Sequence, residues 1–106
     1  MTSYWLSYRL HDSDGWEETY EERRKALEKV VRDSSGDGPN LWLDSTSFFI
    51  FASNDDIDEI VHKIKAAVEE DVDLVVIGMN DYLGGRVIGR CLDNDIFALI
   101  PSIKKA

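Results

Sequence analysis

Residues 48–79 read FFIFASNDDIDEIVHKIKAAVEEDVDLVVIGM, and the rest of the chain is organised around them. Phe48-Phe49-Ile50-Phe51 is a dense apolar run with three aromatics, which suits a pleated, buried strand. A run without polar alternation predicts burial on both faces and therefore a central strand. Ser53-Asn54-Asp55-Asp56 follows, where Ser53 or Asn54 can cap a helix and the acids complement its dipole. Ile57, Ile60, Val61, Ile64, Ala67 and Val68 then recur at the spacing of one helical face. Each fully buried Ile or Val among them contributes roughly 1.5–3 kcal/mol. Glu69-Glu70-Asp71 is unfavourable at the negative end of the dipole, so the last turn is expected to fray near Glu70. Leu74-Val75-Val76-Ile77 is a second apolar strand, which completes a β-α-β unit.

Working outward, Tyr4 to Leu10 predicts a first strand. Tyr4, Leu6, Tyr8 and Leu10 take the core face, and Trp5, Ser7, Arg9 and His11 the other. His11 to Gly15 is a turn, with Asp14 as a candidate cap. A first helix is expected over about Trp16 to Arg32, with Trp16, Tyr20, Leu27, Val30 and Val31 as its apolar stripe. Its acids come early and its bases late, which suits the dipole and allows Glu21–Lys25 and Glu28–Arg32 pairs. The rest of that charge reads as a solvated face. Asp33 to Pro39 is a loop, Leu41 to Leu43 a short second strand, and Asp44 to Ser47 a turn into the third. Asn80 to Gly85 turns the chain, and Arg86 to Cys91 predicts a fifth strand. In the tail, Ile96 to Leu99 can form a helical turn before Pro101 stops it.

The order β-α-β-β-α-β plus one strand predicts an α+β fold. The expected form is a ferredoxin-like sandwich with two helices on one face of an antiparallel sheet and an additional C-terminal strand. Residues 1–106 are read as a single domain, with 84–106 able to extend onto a partner subunit. In that arrangement the fourth strand lies at an edge, yet Leu74 to Ile77 is too apolar for an exposed one. Something must cover it, and the fifth strand is the natural candidate. Trp5, Trp42 and one Phe of the third strand would face the open side of the sheet, as a dimer interface or a base-stacking platform. The interface expected on these grounds comprises Trp5, Trp42, Val75, Ile77, Val87 and Ile88. Phe48 to Ala52 carries no Lys or Arg, which favours the protein interface over the nucleic-acid platform.

Charge points the same way. The chain carries 21 acids against 12 bases, a formal net charge of −9, and repels phosphate backbones at long range. Tyr82 to Ala106 is the one mildly basic segment, with four bases against two acids. The single cysteine, Cys91, excludes an internal disulfide and fits a reducing compartment, so a cytoplasmic location is expected. No run approaches the length of a membrane span, and the N-terminus lacks a signal-peptide pattern.

Three short matches carry a family resemblance: Leu6-Ser7-Tyr8-Arg9-Leu10, Leu43-Asp44-Ser45-Thr46 and Ser53-Asn54-Asp55-Asp56. Over roughly residues 4–90 the outline resembles a superfamily of small ferredoxin-like proteins. It contains the small CRISPR-associated adaptation protein, the SinR-like proteins and the type V endoribonuclease antitoxin. The resemblance implies a metal-dependent phosphodiesterase whose first strand ends in an aromatic followed by a ligating Asp. Here Tyr8 is followed by Arg9, and a guanidinium does not bind a divalent cation.

Two readings follow. The preferred one is a non-enzymatic homodimeric interaction or regulatory module, of the kind found in toxin–antitoxin or defence systems, with no cofactor, no membrane and no nucleic acid. The alternative is a metal-dependent endoribonuclease using Mg²⁺ or Mn²⁺. In it Asp12 is the ligand with Asp14 beside it, since hard cations want clustered carboxylates, and Arg9 or Arg86 meets the phosphate. His11 and His62 lack partners at ligand spacing, and the glycines at 84, 85 and 89 do not form a phosphate-binding fingerprint.

Overall fold

Alternation along Thr2–Arg9 makes strand β1 the axis of the sheet. Tyr4 and Leu6 are buried on one face, Trp5 and Ser7 half-buried on the other. The computed structural model describes residues 1–12, 15–36, 38–79 and 82–106, with Tyr82 and Leu83 described by their backbone alone. Helix α1 spans Tyr20–Ser35, strand β2 Leu41–Trp42, strand β3 Phe48–Ser53, helix α2 Ile57–Ala67 and strand β4 Leu74–Met79. Strand β5 (Tyr82–Gly89), the short helix α3 (Ile96–Leu99) and strand β6 (Ile103–Lys105) complete the chain. The six strands form one sheet in the order β2-β3-β1-β4-β5-β6.

The class is α+β, with two departures from the expected arrangement. The sheet is mixed, because β6 runs parallel to β5 while every other pair is antiparallel. It has six strands, so β4 is internal, flanked by β1 and β5. That placement resolves the problem of an apolar edge: β5 and β6 cap the side, and the outermost strand carries Lys104 and Lys105, charges that discourage edge pairing. Within the chain, β6 lies beside β5 from Gly85 to Val87.

Helices α1 and α2 cover one face. Leu27 and Val31 of α1 and Ile57, Ile60, Val61 and Ile64 of α2 pack on Tyr4, Leu6, Phe49, Phe51, Val75, Ile77 and Ile88. Tyr4 stacks on its cross-strand partner Phe51 at 5.4 Å, and Tyr8 meets Phe49 at 5.3 Å. Such pairs contribute beyond their buried area. Helix α1 starts later than the charge pattern suggested, because Thr19 closes a capping box with Glu22; the Asp14 cap lies outside the described residues. Trp16 precedes the helix and is exposed. Of the expected ion pairs, Glu28–Arg32 forms, while Glu21 takes Arg24 instead of Lys25. The cap of α2 is Asp56, whose carboxylate accepts from the Glu59 amide at 2.8 Å. Ser53 is instead the last residue of β3, where its hydroxyl donates to the Ser34 carbonyl and accepts from the Asp55 amide.

One buried ion pair ties the helix layer to the sheet ends. Arg23, read as part of a solvated face, is 1 % exposed and Asp73 is fully buried. The guanidinium donates to Asp73 at 2.8 Å and to the carbonyls of Glu18 and His11 at 2.7 and 2.8 Å. Asp73 also accepts from the His11 and Glu69 amides at 2.9 and 2.8 Å. Its carbonyl accepts from the Arg90 amide. The pair thus joins the end of β1, the start of α1, the α2–β4 turn and the end of β5. Gly89 takes a positive φ of 94° there, and a Cβ would lie 2.0 Å from the Asp73 carbonyl oxygen.

Candidate interaction face

Residues paired across neighbouring strands share a face of the sheet. The registers therefore define one row across all six strands on the side away from α1 and α2: Trp42, Ile50, Trp5, Gly78, Gly85 and Ile103. The row is not uniform. Over β4 and β5 it is covered by the segment from Cys91 to Ile103, whose Ile96, Phe97 and Ile103 pack on Leu74, Val76 and Val87. Over β2, β3 and β1 it is bare. Trp42 and Ile50 are each 44 % exposed, and Phe48 and Trp5 are half-buried.

Trp5 sits at the boundary between the two halves. Its indole stacks on Phe48 with centroids 6.3 Å apart and 15° between planes. It also reaches across β4: a Cβ at Gly78 would fall 2.3 Å from the indole carbons. Only a glycine at that position lets the ring lie there. On its other side a cavity of about 390 Å³ is lined by Trp5, Met79, Gly84, Leu99, Ile100 and Pro101. Leu99 is 79 % exposed, and Ile100 beside it is also open to solvent. Trp42, Ile50, Phe48 and Trp5 and, across that cavity, Leu99 and Ile100 thus lie on the same side of the sheet.

The bare half is also uncharged. Among the described residues, the strand side chains of its central part are Ser3, Trp5, Ser7, Trp42, Phe48, Ile50 and Ala52, and none ionises. Arg9 lies at the end of β1, where its guanidinium donates to the Arg90 carbonyl at 3.2 Å. In a chain of net charge −9, no acid among the described strand residues lies on this surface.

Of the expected interface residues, Trp5 and Trp42 lie on this face. Val75, Ile77 and Ile88 do not: they point to the helix layer and are fully buried in the main core. Val87 faces the open side but is fully buried beneath the tail. The expectation placed β4 at an edge with the fifth strand as its cover; β5 does pair with β4, and the faces of both strands are filled by the helices and the tail. The third strand was expected to be buried on both faces; it alternates, with Phe49 and Phe51 inside and Ile50 out. Ile50 is the residue that reading missed, although its place beside Trp5 follows once β1 and β3 pair. Leu99 and Ile100 follow from no sequence pattern, since their position depends on how the tail crosses the sheet.

The alternative reading names Asp12, Asp14, Arg9 and Arg86. Asp12 is exposed beyond β1, Asp14 lies outside the described residues, and Arg86 donates to the Gly85 carbonyl. Among the described residues no group of three His, Cys, Asp or Glu side chains is placed to hold a metal ion. The Cys91 thiol donates to the Asp93 carbonyl at 3.3 Å. No helix among the described residues is long and apolar enough to cross a membrane. No family model, curated protein or solved structure matches the chain.

Proposed function

We propose that this protein is a non-enzymatic interaction module that works as a homodimer through the open face of its sheet. The observation that carries the reading is the uncharged strip Trp42-Ile50-Phe48-Trp5. Contiguous exposed apolar surface of this kind marks association sites. Its lack of charge selects the partner. A basic protein would be met by acids at the rim and a nucleic acid by several bases; the strip itself carries no charge, and on that face of β1 the one base is Arg9 at the strand's end. Two copies of a strongly acidic chain repel each other unless they meet where the acid is absent. The strip is that place, and the acids of α1 and α2 lie on the opposite layer of the molecule, with the sheet between.

The first four strands and the two long helices are, in this reading, a ferredoxin-like unit, supported by the run β2-β3-β1-β4 within the larger sheet. The strands β5 and β6 are an extension that closes one edge. A cytoplasmic regulatory role, in the manner of an antitoxin or adaptor, accords with the acidic charge and the single thiol.

Light scattering on the purified chain tests the reading. A dimeric mass at micromolar concentration is expected. Incubation with single-stranded RNA and Mn²⁺ is expected to leave the RNA intact. Metal-dependent cleavage abolished by Asp12→Asn would replace this reading with the nuclease.

A further inference from the structure

The open face has a step. The tail from Cys91 to Ile103 stands over β4 and β5, and the surface over β2 and β3 is bare. Strands lie about 4.8 Å apart, so the raised half and the bare half are offset by one to two strand spacings on opposite sides of β1. A two-fold axis lying along β1, between two sheets placed face to face, exchanges those offsets. The raised half of each copy then meets the bare half of the other. Height along the strands is preserved by this rotation. Leu99 and Ile100 line a cavity with Trp5, which places them near the level of the Trp42–Ile50–Trp5 row.

We propose that the exposed α3 end of each copy, Leu99 and Ile100, seats on Trp42 and Ile50 of a second copy. This rests on the homodimer reading above and names the contact that makes it. The exposures match: Leu99 is 79 % open and Trp42 and Ile50 are 44 % open, so each side has a partnerless apolar group where the other offers a platform. The contacting groups themselves are uncharged: neither Trp42 nor Ile50 nor any residue of α3, Ile96-Phe97-Ala98-Leu99, ionises, and the exposed acids of the raised tail, Asp93 and Asp95, precede the contact. The seat is isologous and is used twice per dimer.

Cross-chain disulfide trapping tests the seat. In a Cys91→Ser background, one preparation carries Leu99→Cys and a second carries Trp42→Cys, and the two are mixed and oxidised while the mass of the native chain is followed by light scattering. The expected result is a dimeric native chain and a disulfide-linked species of twice the chain mass that forms in the mixture at least tenfold more than in either preparation alone. A dimeric native chain with no enrichment of the linked species overturns the seat and leaves the open-face dimer standing. A native chain that stays monomeric at 100 μM overturns both.

Discussion

The indole of Trp5 occupies the space that any side chain at Gly78 would need. The two residues are cross-strand partners on β1 and β4, and their close approach lets the aromatic row continue under the tail. Gly78→Ala must push the ring away or shift β4. Overpacking of this kind costs about 1–3 kcal/mol. Urea denaturation followed by tryptophan fluorescence is expected to show that loss, with a changed native emission as Trp5 leaves its place.

The Arg23–Asp73 pair predicts the largest single-residue effect. Removing one partner leaves the other charge buried without its counter-ion, at a cost of about 3–5 kcal/mol. Asp73→Ala also strips the acceptor from the His11 and Glu69 amides. A chain of this size has little stability to spare, so Asp73→Ala is expected to be largely unfolded at room temperature by circular dichroism. Arg23→Met alone is expected to be destabilised by a similar amount. Combining Arg23→Met with Asp73→Leu is expected to recover part of the loss, because no charge is then stranded.

Alkaline pH should weaken the fold through two phenols. Burial, assisted by the charge of Asp56, raises Tyr4 above its ordinary 10.0, and burial likewise raises Tyr8. A raised folded-state value means the protonated phenol favours the native state. That contribution is complete below about pH 10 and is lost as pH rises through the folded values. Tyrosinate absorbance is expected to show two phenols titrating late and together with unfolding. Tyr4→Phe should blunt the alkaline loss while costing about 1 kcal/mol at neutral pH, since its hydroxyl donates to the Asp55 carbonyl at 2.8 Å.

Substitutions on the exposed part of the face should separate stability from association. Trp42→Ser and Leu99→Ser remove surface that the monomer leaves open, and surface changes of this kind typically move stability by less than about 0.5 kcal/mol. Each is expected to weaken association at least tenfold by analytical sedimentation while leaving the urea midpoint of the monomer unchanged.

The elements were legible where one local pattern sufficed. The Ile57 to Ile64 periodicity places α2, and the Tyr4–Leu6–Tyr8 alternation places the core face of β1. What the sequence left open depends on long-range partners. Arg23 looks like any other charge in an Arg- and Lys-rich helix until Asp73, fifty positions away, is brought beside it. The three-residue β6 follows Pro101 and gains its identity from a parallel partner, which no local signal encodes. Val75, Ile77, Val87 and Ile88 were apolar enough to suggest an interface, but apolarity does not say which layer covers a strand. The strip itself was half visible: Trp5 stood out among polar neighbours, while Ile50 was hidden in a run of aromatics.

The central claim is self-association through the open face, and one substitution addresses it most directly. Ile50→Asp places a charge at the middle of the strip, on a side chain already 44 % exposed. Sedimentation equilibrium on this variant, on the native chain and on a helix-face control, Lys25→Glu, is the decisive comparison. The account predicts that the native chain and the control are dimers and that Ile50→Asp is a folded monomer. A folded Ile50→Asp chain that dimerises as tightly as the native one would contradict it.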